Sequence, residues 1–139
     1  MPPIDEIEAS YASEPQSLTR VTRLLLWLAA LFALVMALLP QPPVLPGAAS
    51  DKAQHMLAFA VLSLLSALAY PQRRLGEIFI AMAVFGALIE VLQLIPALGR
   101  SADIADWIAD CGASLAVLVV IGGVRWLAGQ SGRASRNPV

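Results

Sequence analysis

Charged residues are scarce in this chain, and their scarcity excludes most soluble classes of protein. They make up 14% of its 139 residues, whereas about a quarter is usual in a soluble domain. Hydrophobic residues make up 58% of the chain, and the mean hydropathy is +0.73. The composition therefore predicts an integral membrane protein. The net charge of −1 gives no indication that the chain binds nucleic acid.

Cysteine, histidine and enzyme signatures are also few. The one cysteine, Cys111, cannot form a disulfide within the chain and lies in an apolar segment. The sequence contains no H-E-x-x-H metal motif, no G-x-S-x-G nucleophile turn and no phosphate-binding G-x-x-x-x-G-K loop. No reaction class and no cofactor is indicated by these patterns.

What the sequence does have is a succession of long apolar runs. They cover residues 24–39, about 52–70, 78–95 and 102–127, and Pro and Gly separate them. Each is close to the roughly 20 residues that cross a bilayer. We predict an all-α bundle of four transmembrane helices in residues 20–127, with Asp51 capping the second helix. Residues 1–19 are expected to be a disordered acidic tail rather than a signal peptide, and residues 128–139 a flexible basic tail.

Basic residues indicate the orientation of this bundle. Only Lys52 and Arg100 fall on one side of the predicted membrane, and the other side has seven arginines: Arg20, Arg23, Arg73, Arg74, Arg125, Arg133 and Arg136. Because positive charge is retained in the cytoplasm, both termini are predicted to be cytoplasmic.

The side away from the arginines holds a group of polar residues. Asp103, Asp106 and Asp110 are spaced three and four residues apart, which places them on one face of a helix. Glu90 and Asp110 each lie roughly 10 Å inside a helix end at 1.5 Å per residue. Ionisable groups at such depth are usually received by other protein groups or a wet cavity. We therefore predict an outward-opening polar pocket, formed by Asp51, Lys52, His55, Glu90, Gln93, Arg100, Asp106 and Asp110.

Several of these residues also have a structural interpretation. Asp103 can cap a helix, Lys52 can extend to the interface, His55 can be a packing residue, and Gln93 can hydrogen-bond Glu90 one turn away. If every acid, lysine and arginine on this side is ionised, the negative charges exceed the positive charges by three. The acids are Asp51, Glu90, Asp103, Asp106 and Asp110, and the cations are Lys52 and Arg100. A metal ion, a protonated His55 or the ammonium group of a ligand would restore the balance.

Three separated motifs carry a resemblance to a known family. They are Asp51-Lys52-x-x-His55, Glu90-x-x-Gln93, and Gly99-Arg100 followed by Asp106-x-x-x-Asp110-x-Gly112-Ala113. Together, over residues 20–127, they resemble the VanZ-like family, whose members are small bacterial inner-membrane proteins named after one that confers low-level teicoplanin resistance. The position of Asp110 is commonly Asn in that family, so this chain has an additional acid.

The resemblance implies a protein that binds or modifies a cell-envelope component, with the lipid bilayer and a lipid-linked cell-wall precursor or glycopeptide as partners. In this interpretation Arg100 and Lys52 contact an anionic group of that molecule and the acids contact an amine, and limited access of a lipidated glycopeptide to its target would account for resistance. The resemblance also implies a location in the bacterial inner membrane. An alternative is an intramembrane hydrolase or transferase, in which His55, Glu90, Asp106 and Asp110 bind a metal or act as acid and base. A third is an ion or proton carrier using Glu90, which would require a homo-oligomer.

Overall fold

Four α-helices account for most of the computed structural model, which describes the backbone of residues 4–40 and 50–134 and side chains of 17–40 and 50–130. They are α1 (Ile4–Leu38), α2 (Asp51–Ala69), α3 (Leu75–Gln93) and α4 (Ile104–Ala134), with a 3-10 turn at Pro96–Leu98. The prediction of an all-α fold is confirmed. All four helices are long and apolar enough to cross a membrane, over Ser17–Leu38, Asp51–Ala69, Leu75–Gln93 and Ile104–Gln130.

Both end helices are longer than the sequence suggested. Helix α1 begins at Ile4 and continues through the segment expected to be an irregular acidic tail, and α4 extends to Ala134, beyond the expected end near Leu127. Residues 4–14 are rich in Glu and Ala, which favour helix. Adding residues to an existing helix is also much less costly than starting one. Residues 1–3, 41–49 and 135–139 lie outside the described part of the chain.

Helix α2 is the element on which the bundle is assembled. It packs most extensively on α4 and α1, and α3 joins mainly through α4. Its buried apolar side chains include Phe59, Leu62 and Ala67, and they pack against Leu26 of α1, Ile89 of α3 and Leu118 of α4. Most large apolar side chains elsewhere face outward, as expected where hydrocarbon replaces water.

Two arginines cap the carboxyl end of α2. Arg23 of α1 donates from Nε to the Ala69 carbonyl oxygen at 3.2 Å and lies 4.9 Å above the Tyr70 ring. Arg125 of α4 donates from Nη2 to the Ala67 carbonyl oxygen at 2.9 Å. The last carbonyls of a helix have no partner within it, and cations there also complement the helix dipole. We call this end of the bundle, with Arg20, Arg23, Arg73, Arg74 and Arg125, the arginine end.

Small residues on α3 allow α4 to approach closely. A Cβ atom placed on Gly86 would lie 3.1 Å from Cδ1 of Trp107 and 3.3 Å from Cζ of Phe59. The Trp107 indole donates from Nε1 to the Ala83 carbonyl oxygen at 2.9 Å, one turn before Gly86. This contact fixes the first two turns of α4 against α3. Those turns carry Asp106 and Asp110.

Candidate functional site

The polar residues predicted for the pocket meet at the end of the bundle opposite the arginines. Helices α2 and α4 begin there, and α1 and α3 end there. We call this the acidic end and define it by its five acids, Asp51, Glu90, Asp103, Asp106 and Asp110. The fold therefore brings together residues that are up to 59 positions apart, from Asp51 to Asp110, in the sequence.

Two ion pairs join the start of α2 to α4 and to the loop that leads into α4. Lys52 Nζ lies 3.0 Å from Asp106 Oδ1, and Arg100 Nη2 donates to Asp51 Oδ2 at 2.8 Å. Asp51 is therefore paired with an arginine and is not the cap that the sequence suggested. The N-cap of α2 is Ser50, whose side-chain oxygen accepts the Ala53 N–H at 3.1 Å. Ser is as favourable as Asp at this position, and the pairing with Arg100 was not visible from local sequence.

His55 and Asp110 form the most buried part of the cluster. His55 Nδ1 lies 3.6 Å from Asp110 Oδ2, within ion-pair range but longer than a hydrogen bond. Their side chains are only 11% and 3% exposed. The other carboxylate oxygen, Asp110 Oδ1, is buried and has no hydrogen-bond partner among the described residues. A buried carboxylate oxygen without a donor is costly, so Asp110 Oδ1 is the acid oxygen of this cluster that most needs one.

Glu90 accepts a backbone hydrogen bond that connects two helices. Its Oε2 accepts the backbone N–H of Asp103 at 2.7 Å, one of the amides at the start of α4 that no intrahelical carbonyl can satisfy. The side chain of Asp103 itself accepts the Ala105 N–H at 2.8 Å, which confirms its predicted role as a cap. Glu90 thus ties the end of α3 to the start of α4.

Gln93 faces α1 rather than the cluster. Its side chain is buried, and Nε2 donates to the Ala37 carbonyl oxygen at 3.0 Å. Ala37 lies in the last turn of α1, where carbonyls need partners from outside the helix. The expected bond to Glu90 is therefore replaced by one to another helix, because the two side chains diverge to cap two different helix ends.

The space beside the cluster is a small cleft rather than a wide pocket. It has a volume of about 70 Å³ and is lined by Asp51 and His55 together with mainly apolar side chains of α1 and α2, such as Phe32 and Phe59. The other residues predicted for the pocket do not line it: Lys52, Glu90, Gln93, Arg100, Asp106 and Asp110. It has room for water or one small chemical group.

Sequence reasoning missed Ser114 and Trp107, and it expected the Ser63 hydroxyl to bond back to its own helix. Ser63 of α2 and Ser114 of α4 are fully buried, and their hydroxyl oxygens have no partner within the described residues, so the prediction for Ser63 was wrong. Ser114 lies one turn beyond Asp110 on α4, and this spacing of four was the available signal. For Trp107, within the acidic motif, the signal was its half-buried indole N–H, which requires an acceptor in an apolar layer.

The described residues contain no group of three His, Cys, Asp or Glu side chains arranged to hold a metal ion. The metal-dependent form of the enzyme hypothesis therefore has no ligand set in this part of the chain. In comparisons with known proteins, no family model matches this chain, and neither does any curated protein or solved structure.

Proposed function

We propose that this chain is a multi-pass protein of a bacterial plasma membrane whose acidic end binds the amine-bearing part of a lipid-linked cell-envelope molecule. The resemblance to the VanZ-like family motivates the choice of ligand class. The observation that carries the proposal is the buried Asp110 Oδ1 without a partner beside His55.

The charges of the acidic end favour a cationic group on the ligand. Five acids face two permanent cations, and those cations are already paired with Asp106 and Asp51. Glu90 accepts a backbone amide. Asp110 has a buried oxygen without a hydrogen-bond donor among the described residues, and an ammonium group would supply both a hydrogen bond and the opposite charge. An ammonium offers three donors and can satisfy several oxygens at once.

The distribution of arginine supports an outward-facing acidic end. The arginine end holds Arg20, Arg23, Arg73, Arg74 and Arg125, and the positive-inside rule assigns such an end to the cytoplasm. Both termini would then be cytoplasmic, and the site would open toward the envelope. There it could meet the head group of a lipid-linked wall precursor or a lipidated glycopeptide.

The His55–Asp110 pair also favours a second candidate, an acid–base hydrolase or transferase. Asp110 lies on the Nδ1 side of the imidazole, while His55 also lines the 70 Å³ cleft. A carboxylate that orients an imidazole is the arrangement used for proton transfer. In this case the envelope molecule would be altered rather than held.

The resistance phenotype tests the proposed family role. A sensitive Gram-positive host would express wild type, His55→Gln or, as a control on the exposed face of α4, Val124→Ala, at matched membrane levels. The proposal expects the minimum inhibitory concentration of teicoplanin, but not of vancomycin, to rise with wild type and Val124→Ala and to return to the base level with His55→Gln. No rise with a well-inserted wild type would contradict it.

A further inference from the structure

A second and larger groove lies at the other end of the molecule. It has a volume of about 550 Å³, within the range of small-molecule and cofactor sites. Its walls are apolar side chains of α1, α2 and α3, among them Trp27, Leu62 and Phe85. Its polar lining residues are Ser66, Tyr70, Arg73 and Glu77. The acidic-end residues are not part of it.

The dimensions of the groove match one leaflet of a bilayer. Along α3 it extends from Glu77 to Phe85, which is about 12 Å at 1.5 Å per residue. Half of the hydrocarbon layer is about 15 Å thick. An acyl chain that enters from the arginine end would therefore lie along the groove to near the middle of the membrane. Two small residues, Ala30 and Ala81, leave the space between α1 and α3 open.

The mouth of the groove is positively charged. Arg73 is 70% exposed there and pairs with Glu77 at 3.3 Å, and Arg23 stacks on Tyr70, another lining residue. Arg20 and Arg74 lie at the same end. Glu77 is the only acid that lines the groove in the described part of the chain. An apolar channel with a cationic mouth complements an anionic phospholipid.

We infer that the groove between α1, α2 and α3 binds an anionic phospholipid, with one acyl chain beside Trp27 and the phosphate at Arg73. This site is separate from the acidic end and does not rest on the proposed function. Any lipid at the protein surface would contact Trp27. The inference therefore requires that the groove bind a lipid with an anionic head group in preference to one without net charge.

Quenching of Trp27 fluorescence tests the inference. The full chain is reconstituted in phosphatidylcholine vesicles that contain a small, equal fraction of either phosphatidylglycerol or phosphatidylcholine with brominated acyl chains. The quenching of Trp27 is the difference between wild type and Trp27→Phe. Trp126, which is 64% exposed on α4 and does not line the groove, reports ordinary surface lipid. We expect brominated phosphatidylglycerol to quench Trp27, but not Trp126, more strongly than brominated phosphatidylcholine.

Substitutions at the mouth and along the walls of the groove test the head-group contact and the acyl-chain contact separately. Arg73→Gln should lower the preference for phosphatidylglycerol about fivefold, the contribution of one arginine near an anionic surface, whereas Glu77→Gln should raise it by freeing Arg73. Ala81→Phe should fill the groove and abolish the preference for phosphatidylglycerol. The matched control is Val84→Phe, on the same helix but outside the groove and exposed, which should leave the preference unchanged.

Three results would overturn the inference. Equal quenching of Trp27 by the two brominated lipids would show that the groove does not select charge. An unchanged preference in Arg73→Gln would remove the assigned head-group contact. Loss of quenching as the ratio of protein to lipid rises would show that a second copy of the chain covers the groove instead.

Discussion

The contact of Trp107 with α3 makes a sharp prediction about two glycines. Gly86 and Gly123 both lie within helices, so replacing either by Ala brings the same gain in helix propensity, about 1 kcal/mol. Their surroundings differ. A Cβ on Gly123 meets nothing within 4 Å, whereas one on Gly86 approaches Trp107 to 3.1 Å and Phe59 to 3.3 Å.

The magnitude follows from how little these neighbours can move. Trp107 is held by its 2.9 Å hydrogen bond to Ala83, and Phe59 is 2% exposed in the core. Forcing an additional methyl group into such a packed position costs about 1–3 kcal/mol. We expect Gly86→Ala to be less stable than Gly123→Ala by that amount. Phe59→Leu should reduce the difference, because it removes one of the two contacts.

Unfolding of the purified protein in mixed micelles with a rising fraction of sodium dodecyl sulfate, followed by far-ultraviolet circular dichroism, measures this difference. In a background in which Trp27 and Trp126 are replaced by Phe, fluorescence of Trp107 gives a local signal for the same transition. If Gly86→Ala and Gly123→Ala shifted the midpoint equally, the close approach of α3 and α4 would be refuted, and with it the placement of Asp106 and Asp110.

Three further substitutions test contacts between helices by the same unfolding assay. Gln93→Leu should lower the free energy of unfolding by about 1 kcal/mol, because the carbonyl of Ala37 loses its donor; an unchanged midpoint would contradict this. Arg125→Met should cost about 0.5–1 kcal/mol through the lost cap at Ala67, and a loss equal to that of Leu127→Met would argue against a cap. Arg100→Gln should cost up to about 1 kcal/mol at low salt and less at high salt, so a loss independent of salt would exclude the ion pair.

The number and class of the helices could be predicted from sequence because each depends on local composition. Long apolar runs ended by Pro71 and Pro96 define where helices stop, and the structure places the ends of α2 and α3 within a few residues of the expected positions. The continuation of α1 back to Ile4 was missed, since a mixed acidic segment that adjoins a stable helix can extend it without an apolar pattern of its own.

The position of the polar residues along their helices could also be predicted from sequence, and the way they pair could not. Depth along each helix follows from residue number, so the convergence of Asp51, His55 and Asp110 at one end could be expected. Which side chains pair depends on the rotation of each helix about its axis. Sequence does not give this rotation, as Glu90 and Gln93 illustrate: they share one face of α3, yet they cap two different helices.

The central claim is that Asp110 at the acidic end receives an amine, and a binding measurement tests it most directly. Thermal unfolding of the purified full chain would be followed while it is titrated with a lipid-linked peptidoglycan precursor that carries a free side-chain amine, and with the same precursor after acetylation of that amine. A ligand that binds only the folded state raises the unfolding temperature. The account predicts stabilisation by the amine form alone, and its loss in Asp110→Asn. Equal stabilisation by both forms, or none by either, would contradict it.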